Sequence, residues 1–307
     1  GIIALLIVAV AGSTSYGAKI SLSIAGISIQ PSEFVKISFV FFVAGMLYQN
    51  TSFVQVCIAS VIAAIHVLIL VISRDLGAAL IFFVTYVIML YVATGKLLYF
   101  AGGTLAGVVA SVVAYHLFSH IRVRVMAWQD PLAYIDKEGY QISQSLFAIG
   151  TGGWFGMGLY QGIPDKIPVV KQDFIFSAIA EEFGGVFALC LILVCFSCFL
   201  MFLNIAMQMK DQFYKLVALG LGTVYAFQVF LTIGGVTKFI PSTGVTLPLV
   251  SYGGSSLLCS MIIFAIIQGL YILRQDEGDS DGSKTKKGRS EKRQANGFKK
   301  AAAEELT

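Results

Sequence analysis

The chain has 307 residues, of which 57% are hydrophobic and 12% charged, and its formal net charge is +4. A soluble domain carries roughly a quarter charged residues, so the composition excludes an ordinary soluble protein, and no nucleic-acid partner is expected. The net charge says little about the body, because eight of the 21 Lys and Arg lie after residue 280.

The sequence predicts an all-α, polytopic membrane protein. A spanning helix takes about 20 mostly apolar residues. In chain order, 33–49, 54–73, 76–93, 97–117, 174–203, 213–235 and 247–273 meet that test, with 33–49 and 76–93 short. Residues 1–11 are apolar but too few to span, and they lack the basic leader of a signal peptide. They read as the end of a helix that begins before Gly1, making about eight spans. Alternation at period two over ten-residue blocks is absent from these runs, which argues against a spanning barrel. The reading divides the chain into a transmembrane domain over 1–275 and a Lys/Gly/Ser-rich tail over 276–307, expected to be disordered.

Basic residues of the tail, among them Lys284, Lys286, Lys287 and Arg289, mark it as cytoplasmic and suited to anionic membrane lipids. Counting back, Lys210 and Lys96 fall inside, and the 12–32, 118–173 and 236–246 loops fall outside. The large 118–173 loop nevertheless carries Arg122, Arg124, Lys137, Lys166 and Lys171. Either long loops obey the positive-inside rule weakly, or these cations meet an anionic substrate on the outer face.

Ionisable groups at membrane depth point to a functional site, since stranding one in hydrocarbon costs roughly 2.5–3.5 kcal/mol. Glu33 and Lys36 share a helix face in QPSEFVK, as a surface ion pair or as groups lining a cavity. Arg74 and Asp75 interrupt apolar sequence in VISRDLGAAL, as an outer loop or a broken helix. The stretch YQISQSLFAIGTGGWFGMGLYQG, which includes Gln144, is too short to span and ends in glycines. It reads as a re-entrant or interfacial element, a plain helix–turn in the first instance and otherwise a turn whose free N–H groups cradle phosphate. Asp173 stands where it would cap the next helix, which would keep its pKa low. Glu181 and Glu182 follow about 12–13.5 Å deeper, where at least one needs a polar cavity or a proton. Near the C-terminal span, Pro241, Pro248, Gly253 and Gly254 interrupt the helix, and Ser251, Tyr252, Ser255 and Ser256 cluster at the break.

The five cysteines, Cys57, Cys190, Cys195, Cys198 and Cys259, all sit in apolar runs and suggest no disulfide framework. Cys195 and Cys198 form a C-x-x-C that reads as helix packing. The histidines at 66, 116 and 120 have no metal-ligand spacing.

Taken together, QPSEFVK, RDLGAAL, the Gln/Gly-rich loop, DFIFSAIAEEFG and TGVTLPLVSYGGSSLL resemble the SEDS family (RodA/FtsW/SpoVE), in its order and spacing over residues 12–275. The resemblance implies a ten-helix fold missing about two helices ahead of Gly1. It implies a peptidoglycan glycosyltransferase that polymerises glycan strands from lipid II with a class B penicillin-binding protein as partner. In that light Asp173 is the essential aspartate and general base, and Asp75 the D-L-G aspartate. Glu33, Lys36, Gln144, Glu181, Ser251 and Ser255 become substrate-cavity candidates. Arg122, Arg124, Lys166 and Lys171 would stabilise the leaving pyrophosphate, with or without a divalent cation (Mg or Mn). The family's Arg-Trp pair is replaced by Ile20 and Ser21, and Gln172 precedes the aspartate where Ser or Thr is usual. Other readings are a lipid II flippase or transporter, and a non-catalytic scaffold for the transpeptidase.

Overall fold

The computed structural model describes residues 1–15, 18–24 and 27–275, and the tail expected over 276–307 lies outside these residues. The chain forms α1 (Ile2–Ala11), strands β1 (Ser13–Ser15), β2 (Ala18–Ile24) and β3 (Ile27–Ile29), α2 (Pro31–Leu47) and α3 (Phe53–Ile72). There follow α4 (Leu76–Thr94), α5 (Leu97–Leu117), α6 (Ser119–Gln129), α7 (Tyr140–Gly152), α8 (Ile175–Gln208), α9 (Gln212–Val236) and α10 (Gly254–Gln275).

Six of the described helices are long and apolar enough to cross a membrane: α3, α4, α5, α8, α9 and α10. The protein is a multi-pass membrane protein. At 17 and 10 residues, α2 and α1 are shorter than a full span. The stretch at 247–253 is turn rather than helix, with Leu249 at a positive φ of 63°, so the last span starts at Gly254 and not at 247. The strands were not foreseen. They form an antiparallel meander in the order β1-β2-β3, and the period-two pattern of AKISLSI is its sequence signal. Ile20 and Ser21 both belong to β2.

Local chemistry sets several helix ends. Pro31 opens α2, where a missing N–H costs nothing. Ser52 caps α3, Asp75 caps α4 and Asp211 caps α9, each side chain accepting from a backbone N–H of the first turn. Gly95 ends α4 in the left-handed conformation. In α9 two thirds of the most apolar window is buried, and in α5 none of it. The core therefore lies where α2, α4 and α9 meet, around Val40, Phe82, Met89, Leu216 and Leu221. Gly220 permits this approach: a Cβ there would press on Val40 and Met89.

α8 is broken at Gly184, whose φ of 84° and ψ of 174° are not helical. Its 34 residues would extend about 50 Å if straight, well beyond a hydrocarbon core of about 30 Å. The part before Gly184 packs with α7 and the loop that follows it.

Candidate active site

Two polar clusters meet between α2, α4, α9 and the loop leading to α10. The inner one is buried. Lys36 Nζ donates to Glu33 Oε2 at 2.7 Å and to Gln228 Oε1 at 2.6 Å. Gln228 Nε2 in turn donates to the Thr246 carbonyl at 3.0 Å, and the Thr246 and Ser256 hydroxyls are 2.7 Å apart. Thr232 Oγ1 bonds the Val245 carbonyl at 2.9 Å. Every charged group here has a partner, which is what burial at membrane depth demands. The surface-pair reading of Glu33 and Lys36 is thereby corrected: they are 8% and 3% exposed.

The outer cluster is built on two carboxylates. Asp75 Oδ1 accepts from Ala78 N at 3.1 Å, and Oδ2 accepts from the Ser32 hydroxyl at 3.1 Å. Gln30 Nε2 donates to the same hydroxyl, and Gln30 N donates to Ser255 Oγ at 3.1 Å. A small cavity of about 20 Å³ lies between these groups, lined by Ser32, Glu33, Lys36, Asp75, Gly244 and Thr246 among others. It has room for about one water molecule. A larger apolar cavity, about 390 Å³ between α8 and α9, has none of these residues in its wall.

Asp173 belongs to the outer cluster. It does not cap α8, contrary to the sequence expectation: Phe174 occupies that position, and no side chain caps the helix. Its carboxylate lies opposite Gly244, where an added Cβ would be 3.4 Å from Oδ2. Burial pushes its pKa up to about 6, the nearby Arg124 guanidinium pulling it down and the charge of Asp75 adding to the rise. Burial also raises Asp75, against the hydrogen bonds from Ala78 and Ser32. Arg124 faces both carboxylates electrostatically and donates to the Ser242 carbonyl at 3.2 Å.

The peptide before Asp173 is clamped by the 247–252 turn. Tyr252 N donates to the Lys171 carbonyl at 2.7 Å, and Ser251 Oγ donates to the Gln172 carbonyl while accepting from Leu247 N. Ser251 and Ser255 thus hold backbone. Arg74, Val169 and Leu249 all have positive φ, and such strain in non-glycine residues persists where surroundings impose it, commonly at functional sites.

Not all expected residues converge. Arg122, Lys166 and Lys171 are exposed, and Gln144 is half-buried in α7. Glu181 turns to the Gly-rich loop: its Oε1 accepts from Ile163 N at 3.2 Å, and its Oε2 is buried without a partner. Glu182 Oε1 accepts from Tyr160 N. The loop's N–H groups therefore bond carboxylates and carbonyls of α8 rather than forming an open phosphate cradle, which corrects that expectation. Sequence reasoning missed Gln30, Ser32, Gln228, Ser242, Gly244 and Thr246. Gln228 was the findable one, an amide in the apolar run VYAFQVFLT.

The family sequence model for the FtsW, RodA and SpoVE proteins, described as cell cycle protein, matches residues 1–275. The chain belongs to this family. The peptidoglycan glycosyltransferase RodA of Mycobacterium tuberculosis is 38% identical over 271 residues, covering 83% of this chain and 58% of that protein. Stage V sporulation protein E of Bacillus subtilis is 33% identical over 279 residues, covering 87% and 75%. This FtsW/RodA/SpoVE chain thus spans little more than half the length of the mycobacterial relatives it matches. Its fold is that of Thermus thermophilus RodA, at a TM-score of 0.60, with 24% identity and coverage of 87% and 73%. It also matches a chain of a peptidoglycan synthase complex, described as coordinating polymerization and crosslinking, at a TM-score of 0.73. That match is 24% identical and covers 90% of this chain and 78% of the other.

Proposed function

We propose that this chain carries the membrane body of a glycosyltransferase that polymerises peptidoglycan strands from lipid II, with Asp173 as general base. The carrying observation is an aspartate held half-buried with a pKa near 6, beside Arg124 and Asp75. A base is most useful when its pKa approaches the working pH, and such a group contributes roughly 10²–10⁴-fold. At neutral pH Asp173 is mostly ionised yet basic enough to take a proton. This removes the difficulty of a low-pKa capping carboxylate.

In the proposed step the acceptor sugar hydroxyl attacks the anomeric carbon of the lipid-linked donor. The new glycosidic C–O bond forms as the bond from that carbon to the pyrophosphate oxygen breaks. The hydroxyl proton passes to Asp173, and the negative charge leaves with the undecaprenyl pyrophosphate. Arg124 is the cation best placed to stabilise that charge, and Arg122, Lys166 and Lys171 are exposed cations for the approaching lipid. Glu33, Lys36, Asp75 and Ser255 line or hold the cavity beneath, while Gln144 and Glu181 contribute through the packing of α7 and its loop.

Among the described residues no three His, Cys, Asp or Glu converge as a metal site. The two carboxylates Asp75 and Asp173, under the influence of Arg124, are a poor donor set for a protein-held divalent ion. Mg or Mn would have to be coordinated mainly by pyrophosphate oxygens, and no step above is routed through it.

The reading places the 118–173 loop on the extracytoplasmic face of the bacterial cytoplasmic membrane and the tail in the cytoplasm, following the Lys/Arg distribution. A class B penicillin-binding protein is the proposed partner that crosslinks the product. The test is polymerisation of labelled lipid II by the full-length protein with that partner, comparing wild type with Asp173→Ala. Glycan ladders lost only in the variant are expected. Ladders that survive in the variant would remove Asp173 from the chemistry. No ladders from a folded wild-type complex would favour a flippase or a scaffold.

A further inference from the structure

The segment after α7 packs against α8 on either side of the break at Gly184. Its position can be read from the neighbouring helices. Ser145 Oγ donates to the Val236 carbonyl at 2.8 Å and lies 2.6 Å from Ser177 Oγ, so these residues are level with the C-terminal end of α9. From there α7 runs down α8: a Cβ on Gly152 would strike the backbone of Ala180 and Glu181. At the bottom, Gly185 N bonds the Gly153 carbonyl at 2.8 Å and Val186 N bonds the Trp154 carbonyl at 3.2 Å. Eight and nine residues separate Ser177 from Gly185 and Val186, and the helical part of that run, Ser177 to Phe183, rises about 9 Å before the break at Gly184.

The tip is apolar and uncovered. Trp154, Phe155 and Tyr160 are 73%, 88% and 87% exposed. This surface is continuous with Phe183, Val186 and Phe187 on α8, which are also exposed on a membrane-spanning helix.

A non-helical backbone in hydrocarbon must satisfy its polar groups internally, whereas one at the headgroup boundary shares them with water. Of the eight N–H groups from Gly153 to Tyr160, four have protein partners, at Gly156, Met157, Gly158 and Tyr160. Gly156 bonds Gly152, Met157 bonds the Glu181 carbonyl, and Gly158 bonds the Glu182 carbonyl. Gln161 bonds Gly158, while Tyr160 and Ile163 bond the side chains of Glu182 and Glu181. These bonds tie one side of the loop to α8 while its aromatic side chains turn out, which suits a boundary where water reaches the remaining donors.

We propose that residues 153–160 form a lipid anchor, with Trp154 and Phe155 seated at the boundary between headgroups and acyl chains in the leaflet at the C-terminal end of α9. Aromatic residues favour the boundary between headgroup and hydrocarbon, and the tip is continuous with the exposed apolar face of the spanning helix α8. Glu181 and Glu182 are the positioning residues of this anchor, tying the loop to α8.

The test uses tryptophan fluorescence, since the chain has two tryptophans, Trp128 and Trp154. The full-length protein is reconstituted into phosphatidylcholine/phosphatidylglycerol vesicles brominated on the acyl chains, either near the headgroup or near the chain end. The Trp154 signal is the difference between wild type and Trp154→Phe, with retained circular dichroism as the folding control. The expected result is loss of most of that signal to bromine near the headgroup, with little loss to aqueous iodide. Quenching by iodide and not by bromine would put the loop in water and overturn the proposal. Quenching by neither would show the tip covered by protein and overturn it equally. None of these outcomes depends on whether the chain polymerises lipid II.

Discussion

Asp173 is raised from an ordinary carboxylate pKa to about 6 chiefly because burial penalises its charge. Two expectations of opposite character follow. For catalysis, polymerisation should rise with pH through an acid limb near pH 6, because the base must be ionised; a rate profile with no change between pH 5 and 7 would contradict this. For stability the sign reverses. A carboxylic acid whose folded pKa exceeds its unfolded value is penalised once ionised, fully above about pH 6 and not at all below about pH 4. Asp173→Asn should therefore melt a few degrees higher than wild type at pH 8, and the gain should vanish at pH 4. Sequence reading found this residue through its motif but assigned it the wrong physics. A carboxylate one residue before Phe174 looks like a cap, and only the packed structure shows its side chain facing Gly244 and Arg124 instead.

At the scale of helices and loops, the Glu33–Lys36–Gln228 group fixes α2 to α9. Removing one charge of a buried pair is worse than removing both. Lys36→Met should lower the detergent melting temperature strongly, by the equivalent of about 3 kcal/mol, and Glu33→Gln added to it should recover much of the loss. If the two losses simply add, the pair is not coupled. The sequence announced Glu33 and Lys36, because two charges in apolar sequence are conspicuous, but it could not pair Lys36 with Gln228, which lies 192 residues away. The same distance in sequence hid the clamp on Asp173. Ser251 and Gln172 are 79 residues apart, and a serine near a glycine pair looks like an ordinary turn. Ser251→Ala removes one of the clamp's bonds and should lower kcat several-fold with KM and melting temperature little changed. The break at Gly184 was likewise invisible, since EEFGGVF continues a helical pattern, and only the contact with Trp154 and Gly156 explains it.

For the whole molecule, the apolar runs gave the membrane class and most helix bounds, because hydropathy over 20 residues is a strong signal. They did not distinguish a central helix such as α9 from a peripheral one such as α5, since lipid and protein interior accept the same side chains. Orientation is testable at this scale. A cysteine at Glu138 should react with an impermeant maleimide in intact spheroplasts, and one at Lys210 only after permeabilisation; the reverse pattern would invert the topology. The clamp between 171–172 and the 247–252 turn has a further consequence. Two segments far apart in sequence share hydrogen bonds, so neither can open without the other. In hydrogen–deuterium exchange they should behave as one cooperative unit, the amides of Asp173 and Tyr252 gaining protection together when a ligand settles above them and losing it together when Ser251 is removed.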